Sequence, residues 1–465
     1  MISRHALQEF QLHHQGQLIR PGEESYDSTR AVWNGMIDRR PALITRCTNV
    51  LDVVAAVNLA REHDLPLAVR GGGHNVAGYG TCDGGLVIDL GLMKDIQVDP
   101  IARTALAQGG VTWGELDAAT QLYGLATPGG VVSDTGIAGL TLGGGLGWLR
   151  AKYGLSCDNL ISAELVTAQG HIITASESEH PDLLWGLRGG GGNFGVVTSF
   201  EYRLHQVGPD VMFVFVLHNG SRDHMRRALQ FYREYSANAP DEVSSIAVCG
   251  RVPPDPAFPT ELHEHPYILF GGLYSGAADE GKRVMQPLID FDTPLLDFSG
   301  IRPYVEAQKA WDVDYPRGKR YYWKSLNLKA LDDASIDCIV HHSHAQPSAH
   351  STIDLWHIGG AVTRVSAKDS AFNGRQAAFL VNPEANWEHL ADDEANISWA
   401  RKFIMDMRRF SDGSSYLNFP GFYEEGDEMV RQSFGSQYER LVALKDKYDP
   451  ANLFRINQNI KPTVT

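Results

Sequence analysis

The sequence predicts an α+β protein of two domains, and three observations support this. With 465 residues the chain is longer than one hydrophobic core usually serves. Glycine runs crowd the first two hundred or so residues, among short strand-like segments and helical patterns. From about residue 206, longer strand patterns alternate with amphipathic helices, which is typical of an antiparallel sheet backed by helices on one face.

The first portion is predicted to mix short strands with two clear helices. Apolar residues recur at helical spacing over residues 50–61 and 113–122, and a third helix is predicted over 181–187. Apolar and β-branched residues cluster in four short runs, which we predict as strands. These runs cover residues 43–45, 86–90, 165–167 and 196–198.

The second portion is predicted to hold longer strands and helices. The strands are expected at 212–217, 267–273, 353–365 and 377–381, and the helices at about 222–237, 278–290 and 388–409. A last helix over 438–448 is expected to end at Pro450, because proline cannot continue a helix.

Composition limits the kinds of partner. The formal net charge of −15 argues against nucleic acid or an anionic membrane, since both require a basic surface. The five cysteines are scattered and include no CxxC pair, and no long apolar run follows the N-terminus, so a reduced, cytoplasmic protein is expected. The segment His341 to His344 lacks neighbouring carboxylates or cysteines at ligand spacing. We therefore predict a solvated turn there and no metal site.

A glycine-rich turn, Arg70 to Asn75, is the first candidate binding element. It follows a strand-like run, and its three consecutive glycines let backbone N–H groups converge on an anion. His74 stands at its edge. The segment predicts a phosphate-bearing ligand beside one nucleophilic side chain; a tight turn with an incidental histidine is the alternative.

Two further glycine clusters differ in what they predict. Residues 190–195 match GxGxxG, but they follow a predicted helix and precede a strand, which reverses the order of a nicotinamide-binding fingerprint. We therefore reject that interpretation. Residues 128–147 hold eight glycines, too many for a stable helix, and are expected to wrap a long flat ligand through the backbone.

Seven motifs together resemble a known family. The chain is similar to flavin-linked oxidases of the berberine-bridge-enzyme-like branch of the vanillyl-alcohol-oxidase/p-cresol-methylhydroxylase (PCMH) superfamily, closest in style to the 6-hydroxynicotine-oxidase-like bacterial members. The resemblance runs from about residue 40 to 462. The motifs occur here in the family's order: RGGGHN, PGGVVSDTG, GLTLGGGLGW, KYGLSCDN, LRGGGGNFGVVT, Tyr416-Leu417-Asn418 and DPANLFRINQNI.

The resemblance implies a PCMH-type FAD domain made of residues 1–205 and 411–465, interrupted by a substrate domain over 206–410. It implies FAD as cofactor, bonded through its C8-methyl group to His74; a dissociable FAD is the alternative. Val132 stands where some relatives carry a second linking cysteine, so a single link is expected, and Cys157 is expected to be buried.

The same resemblance implies a set of site residues. Tyr416 is the candidate base, with orientation of the cofactor as its alternative role. Tyr322, Lys324 and Trp356 are the predicted substrate contacts, although core packing is an alternative for each aromatic side chain. The predicted cofactor contacts are His74, Arg70, Gly71, Gly72, Gly73, Asn75, Gly78, Tyr79, Pro128, Gly129, Ser133, Asp134, Gly139, Thr141, Gly143, Gly144, Gly145, Val197, Asn418, Asn457 and Asn459.

The expected reaction is hydride transfer from a small-molecule alcohol or amine carbon to FAD, with molecular oxygen reduced to hydrogen peroxide. A dehydrogenase using another acceptor, a nicotinamide-dependent reductase and a catalytically inactive flavin-binding protein are the alternatives. The absence of a nicotinamide fingerprint counts against the reductase.

Overall fold

The computed structural model describes residues 4–422 and 426–463. Its strands are β1 Gln17–Ile19, β2 Leu43–Arg46, β3 Leu67–Arg70, β4 Leu86–Asp89, β5 Ile96–Asp99, β6 Thr104–Gln108, β7 Leu125–Ala126, β8 Leu160–Val166, β9 Ile172–Ala175, β10 Val196–Arg203, β11 His205–Gln206, β12 Asp210–Asn219, β13 Val243–Arg251, β14 Pro266–Tyr274, β15 Leu296–Asp297, β16 Gly300–Pro303, β17 Arg320–Trp323, β18 Leu326–Leu328, β19 Thr352–His357 and β20 Phe379–Trp387. Its α-helices are α1 Arg4–His13, α2 Tyr26–Arg30, α3 Val50–Glu62, α4 Trp113–Gln121, α5 Ile137–Leu142, α6 Arg150–Tyr153, α7 Pro181–Leu187, α8 Arg222–Asn238, α9 Ala278–Ile289, α10 Tyr304–Gln308, α11 Asp333–Ser343, α12 Ala361–Arg364, α13 Asp393–Met407, α14 Gly426–Phe434 and α15 Tyr438–Tyr448.

The first portion of the chain forms two main sheets. One has the order β1-β2-β4-β3, in which β2, β4 and β3 run parallel; the other has the order β5-β6-β10-β8-β9 and is antiparallel. Strand β3 ends at Arg70, whose guanidinium bonds Asp89 at the end of the neighbouring β4 at 2.9 Å. The glycine-rich turn therefore leaves the sheet at the carboxyl end of parallel strands, where α/β folds place ligands.

Strands β12 to β20 form one nine-stranded antiparallel sheet. Helices α8, α9, α11 and α13 cover one face with a shared apolar core. The other face carries Phe213, Ile246 and Trp356, which pack with Trp148 and Val132 of the first portion. The change of sheet between β11 and β12 coincides with the predicted boundary at residue 206, while the division into domains stays a prediction.

The C-terminal segment returns to the first portion. Residues Leu417, Leu441 and Leu444 share a core with β6, β8 and β10. The Lys445 ammonium is buried; it bonds Asp449 at 2.7 Å and the carbonyl oxygens of Asn193 and Phe454 at 2.9 Å each. Burial lowers the pKa of Lys445, and Asp449 opposes that shift. This cluster fixes the last segment beside the glycine run 189–192.

We expect Lys445→Met to destabilise the protein strongly. It would leave the buried Asp449 carboxylate without its cation, a change that typically costs about 3–5 kcal/mol of unfolding free energy. The matched control is Lys447→Met on the same helix, where the Lys447–Asp182 pair is partly exposed and is expected to contribute less than about 1 kcal/mol. Urea unfolding of both variants measures the difference; equal losses would contradict it.

Three sequence predictions need correction. The strand expected over 353–365 ends at His357, because Gly360 adopts a φ of +58° and starts the short helix α12. The glycine-rich segment 128–147 does contain a helix, α5. The histidine segment ends helix α11 instead of forming a solvated turn, and the buried His342 bonds Asp406 at 2.9 Å. Among the described residues, no helix has the length and apolar character to cross a bilayer.

Candidate active site

A deep cleft lies between the glycine-rich loops and the nine-stranded sheet. Counting its open mouth, the cleft encloses about 1810 Å³. One end is lined by Gly71, Gly72 and the run Gly189 to Gly192; the other by aromatic side chains of the large sheet. A cleft with these two ends can hold a long cofactor and a substrate together.

The turn after β3 supplies the cradle for an anionic group. Within the described residues, the backbone N–H groups of Gly71 to Asn75 donate to no other protein group. A Cβ atom on Gly72 would lie 2.3 Å from the backbone nitrogen of Gly136, so only glycine allows the two loops to touch. Five consecutive free amides in one turn form the type of nest that binds phosphate.

We expect Gly72→Ala to weaken cofactor binding. The added methyl group would overlap backbone atoms that cannot move aside cheaply, a strain of about 1–3 kcal/mol, which corresponds to a rise in the Kd of roughly 5- to 150-fold. Fluorescence titration with FAD in a His74→Ala background measures this directly. Gly300→Ala is the control, because a Cβ there meets nothing within 4 Å. Equal affinities in both variants would contradict the expectation.

His74 lies at the cleft wall in a defined orientation. Its ring stacks on the Trp33 indole, with centroids 4.3 Å apart and planes 22° apart, and Trp33 stacks in turn on Tyr321 at 3.7 Å. The His74 Nε2 atom lies 2.7 Å from Oδ1 of Asp134. Since an ionised carboxylate only accepts hydrogen bonds, Nε2 carries the proton and Nδ1 keeps its lone pair.

Electrostatics keep His74 neutral and Asp134 ionised. Burial lowers the pKa of His74, and Asp134 opposes that shift only in part. Burial alone would raise the pKa of Asp134, but His74 and Arg317 together hold it below its usual range. A neutral imidazole with one free nitrogen is a competent nucleophile.

Several buried polar atoms around the cleft have no protein partner. Within the described residues these include Nη1 of Arg70 and Oδ1 of Asn457 and Asn459. The Asn457 amide nitrogen bonds the carbonyl oxygens of Gly192 and Phe454, at 3.0 and 3.1 Å. Unpartnered buried polar atoms beside a glycine cradle fit a ligand with its own polar groups, such as a dinucleotide.

Tyr416 also lies at the cleft. Its hydroxyl oxygen accepts hydrogen bonds from the backbone N–H groups of Gly145 and Leu146, at 3.0 and 3.3 Å, and from Nδ2 of Asn418 at 2.8 Å. Burial raises the pKa of Tyr416 to about 12, although these donors act in the opposite direction. The contacts show that Tyr416 holds the backbone at Gly145 and Leu146, within the glycine-rich segment 128–147.

The substrate-facing wall is aromatic and contains one carboxyl group. Trp311, Tyr315, Trp323 and Trp356 line the cleft together with Glu384 on β20. The Tyr315 hydroxyl donates to Oε2 of Glu384 at 2.7 Å. Glu384 was not predicted from the sequence; the available signal was a charged residue inside an otherwise buried strand.

Burial dominates the titration of this carboxyl group. It raises the pKa of Glu384 well above 4.5, and Asp354 on the adjacent strand β19 raises it further. Asp354 itself is buried, which raises its pKa to about 7. The Tyr315 hydroxyl bond acts in the opposite direction on Glu384. Glu384 and Asp354 interact, so they titrate as a pair.

The structure brings fourteen of the predicted site residues to the cleft wall. They are Arg70, Gly71, Gly72, Gly73, His74, Asn75, Tyr79, Gly139, Gly143, Val197, Trp356, Tyr416, Asn418 and Asn457. The other predicted cofactor contacts do not line the cleft; they are Gly78, Pro128, Gly129, Ser133, Asp134, Thr141, Gly144, Gly145 and Asn459.

Two predicted substrate contacts lie elsewhere. Tyr322 belongs to the core beneath the helices, where its hydroxyl accepts from Nε of Arg401 at 3.1 Å. Lys324 is buried and does not line the cleft. Because strand side chains alternate, Tyr321 and Trp323 take the opposite face, and Trp323 reaches the cleft. Val132 lines the cleft and Cys157 is buried, as expected of a small apolar side chain.

Comparison with known proteins decides the family. Residues 41–176 match the model of the FAD binding domain, and residues 415–461 match that of berberine and berberine-like proteins. An FAD-linked oxidoreductase of Dictyostelium discoideum is 31% identical over 451 residues, covering 96% of this chain and 95% of its own length. The chain belongs to the berberine-bridge-enzyme-like FAD-linked oxidoreductases.

Two further comparisons agree with this assignment. This FAD-linked oxidoreductase is 31% identical to (R)-6-hydroxynicotine oxidase of Paenarthrobacter nicotinovorans over 461 residues, covering 96% of this chain and 97% of the relative. The crystal structure of 6-hydroxy-D-nicotine oxidase from Arthrobacter nicotinovorans superposes with a TM-score of 0.87 at 30% identity, covering 97% and 98% of the two chains. The expected fold class, enzyme class and FAD cofactor are thereby confirmed.

Proposed function

We propose that this enzyme is an oxidase that removes hydride from an alcohol or amine carbon of a small planar substrate, with dioxygen as the electron acceptor. One observation carries the proposal: a single cleft joins the glycine cradle and His74 to an aromatic wall containing a carboxyl group of raised pKa. When bound, FAD supplies the two-electron chemistry that the side chains themselves lack.

The residues present fit this cofactor. The free amides of Gly71 to Asn75 would hold the phosphates, and the buried Oδ1 atom of Asn457 at the cleft wall would accept from one of its polar groups. His74 would form the covalent link through Nδ1, the nitrogen that Asp134 leaves free. Val132 offers no sulfur for a second link, so one link is proposed.

Glu384 is our candidate for the group that takes the substrate proton. A general base works best with a pKa near the operating pH, and burial moves Glu384 in that direction. Tyr416, the base expected from the sequence, would have to lose its proton from a group with a pKa of about 12. Its contacts with Gly145 and Leu146 support the alternative role of holding the loop.

The aromatic wall would select a flat substrate. Trp311, Trp323 and Trp356 line the cleft together with Glu384, and indole rings can stack on planar groups and attract cationic amines. Because one fold can support several chemistries, the proposed substrate class rests on this wall.

A substrate screen in two stages tests the function. Candidate alcohols and amines are mixed anaerobically with the purified holoenzyme, and bleaching of the flavin absorbance reports hydride transfer. Compounds that bleach are then turned over in air, where stoichiometric hydrogen peroxide is expected. Bleaching with turnover only on an artificial dye would make the enzyme a dehydrogenase; no bleaching by any hydride donor would support an inactive flavin-binding protein.

A further inference from the structure

A line of hydrogen bonds extends from His74 through Asp134 to Arg317. Asp134 binds His74 with one oxygen and Arg317 with the other: Arg317 Nε lies 3.0 Å from Oδ2 of Asp134. Arg317 also donates from Nη2 to the carbonyl oxygen of Gly72 at 2.9 Å. The three side chains form a chain His74–Asp134–Arg317 that ends on the glycine cradle itself.

Arg317 comes from the second portion of the chain, between α10 and β17. A neighbouring contact makes the same connection, since Asp312 accepts from the backbone nitrogen and hydroxyl of Ser133 at 2.7 and 2.6 Å. The segment 312–317 therefore holds the loop that carries Asp134 from the substrate side of the cleft. His74 is 10% exposed, whereas Asp134 and Arg317 are 44% and 50% exposed, so water reaches the outer part of the chain only.

We propose that Asp134, held by Arg317, is a positioning residue for flavin attachment. This proposal rests on the covalent link through His74 proposed above. Asp134 keeps the proton on Nε2, leaves the Nδ1 lone pair available to the cleft, and neutralises the imidazolium that the new bond creates. The stacked Trp33 indole restricts rotation of the His74 imidazole out of its plane.

The Nδ1 lone pair of His74 forms a bond to the 8-methyl carbon of the isoalloxazine, and one methyl C–H bond breaks. The proton of that bond leaves to solvent, and its electron pair passes through the ring system to dioxygen, which takes up two protons to become hydrogen peroxide. The alkylated ring keeps its Nε2 proton and becomes a cation, whose charge the Asp134 carboxylate balances at hydrogen-bond distance.

The test measures the rate of attachment, independently of turnover. Apoprotein from riboflavin-limited cells is incubated with FAD in air, and samples are precipitated in acid to count the flavin retained in the pellet. Asp134→Ala is expected to slow attachment by about 10- to 100-fold, because it removes both the orientation and the counter-charge of His74. Asp134→Asn keeps an acceptor oxygen and loses only the charge, so an intermediate rate is expected, and Arg317→Ala should slow attachment less than Asp134→Ala.

A chemical signature separates positioning from general weakening. NMR of the isolated flavopeptide identifies the alkylated nitrogen, and Nδ1 is expected in the unaltered protein. In Asp134→Ala the residual product is expected to include linkage through Nε2, because nothing then occupies that nitrogen. The matched control is Asp241→Asn, which breaks the Asp241–Arg364 pair of similar exposure elsewhere and should leave the rate unchanged.

Two outcomes would overturn the inference: attachment in Asp134→Ala within twofold of the unaltered protein, or an equal loss in Asp241→Asn. If Asp134→Ala does not fold, the attachment rate of Asp134→Asn is judged by the same criteria. Reversible binding of FAD then shows that Asp134→Asn is folded. An unaltered protein that binds FAD and never attaches it would instead overturn the proposed link through His74, and the role of Asp134 with it.

Discussion

Replacing His74 with alanine is expected to remove all covalently held flavin. The unaltered protein should give a yellow pellet in acid, whereas His74→Ala should give a colourless pellet and a yellow supernatant. The reason is that Nδ1 of His74 is a nucleophile with a free lone pair at the cleft wall, and its ring is fixed by Trp33 and Asp134. FAD should still bind reversibly, since the free amides of the cradle are unchanged.

His205→Ala provides a closely matched control. His205 also bonds an acceptor through Nε2, at 2.7 Å from Oδ1 of Asn159, and its ring stacks on Tyr153 at 4.0 Å. It does not line the cleft. Removal of His205 should leave the pellet yellow. Colour that persists in the pellet of His74→Ala would assign the link to another side chain, and a colourless pellet in both variants would point to lost folding instead.

The sequence was most informative where the backbone itself binds. The binding role of the turn Arg70 to Asn75 could be predicted from its residue types. Three consecutive glycines allow a backbone conformation, and a close approach to other backbone atoms, that residues with a Cβ atom do not. Helix α15 begins and ends as predicted, since proline at position 450 sets its limit. Local rules of this kind require no knowledge of which other segments of the chain pack nearby.

The substrate wall could not be predicted in the same way. Alternation places Tyr322 and Trp323 on opposite faces of β17, but which face meets the cleft depends on the helices packed behind the sheet. The role of Glu384 depends on tertiary structure, because the pairing of β20 with β17 and β19 places its carboxyl group near Tyr315 and Asp354. The helix α5 escaped prediction because tertiary packing outweighs the low helix propensity of glycine.

The second large effect is expected at Glu384. Glu384→Gln keeps the shape and an acceptor oxygen but cannot take a proton, so kcat/KM should fall by about 10²- to 10⁴-fold at neutral pH. Flavin content and the melting temperature should stay unchanged, since FAD is held from the other end of the cleft. A loss of less than threefold would remove Glu384 from the reaction.

The pH profile of the unaltered enzyme provides an independent test with a definite sign. The base form of Glu384 is the active one and its pKa is raised, so kcat/KM should rise with pH along a limb that lies above pH 4.5. Asp354→Asn should move this limb to lower pH, because the Asp354 charge is one cause of the raised pKa. Tyr315→Phe should move it to higher pH, since the Tyr315 hydroxyl lowers that pKa by donating to the carboxylate. If the limb came from ionisation of the substrate, it would lie at the same pH in every variant, Glu384→Gln included. Shifts in opposite directions in Asp354→Asn and Tyr315→Phe would assign the limb to Glu384.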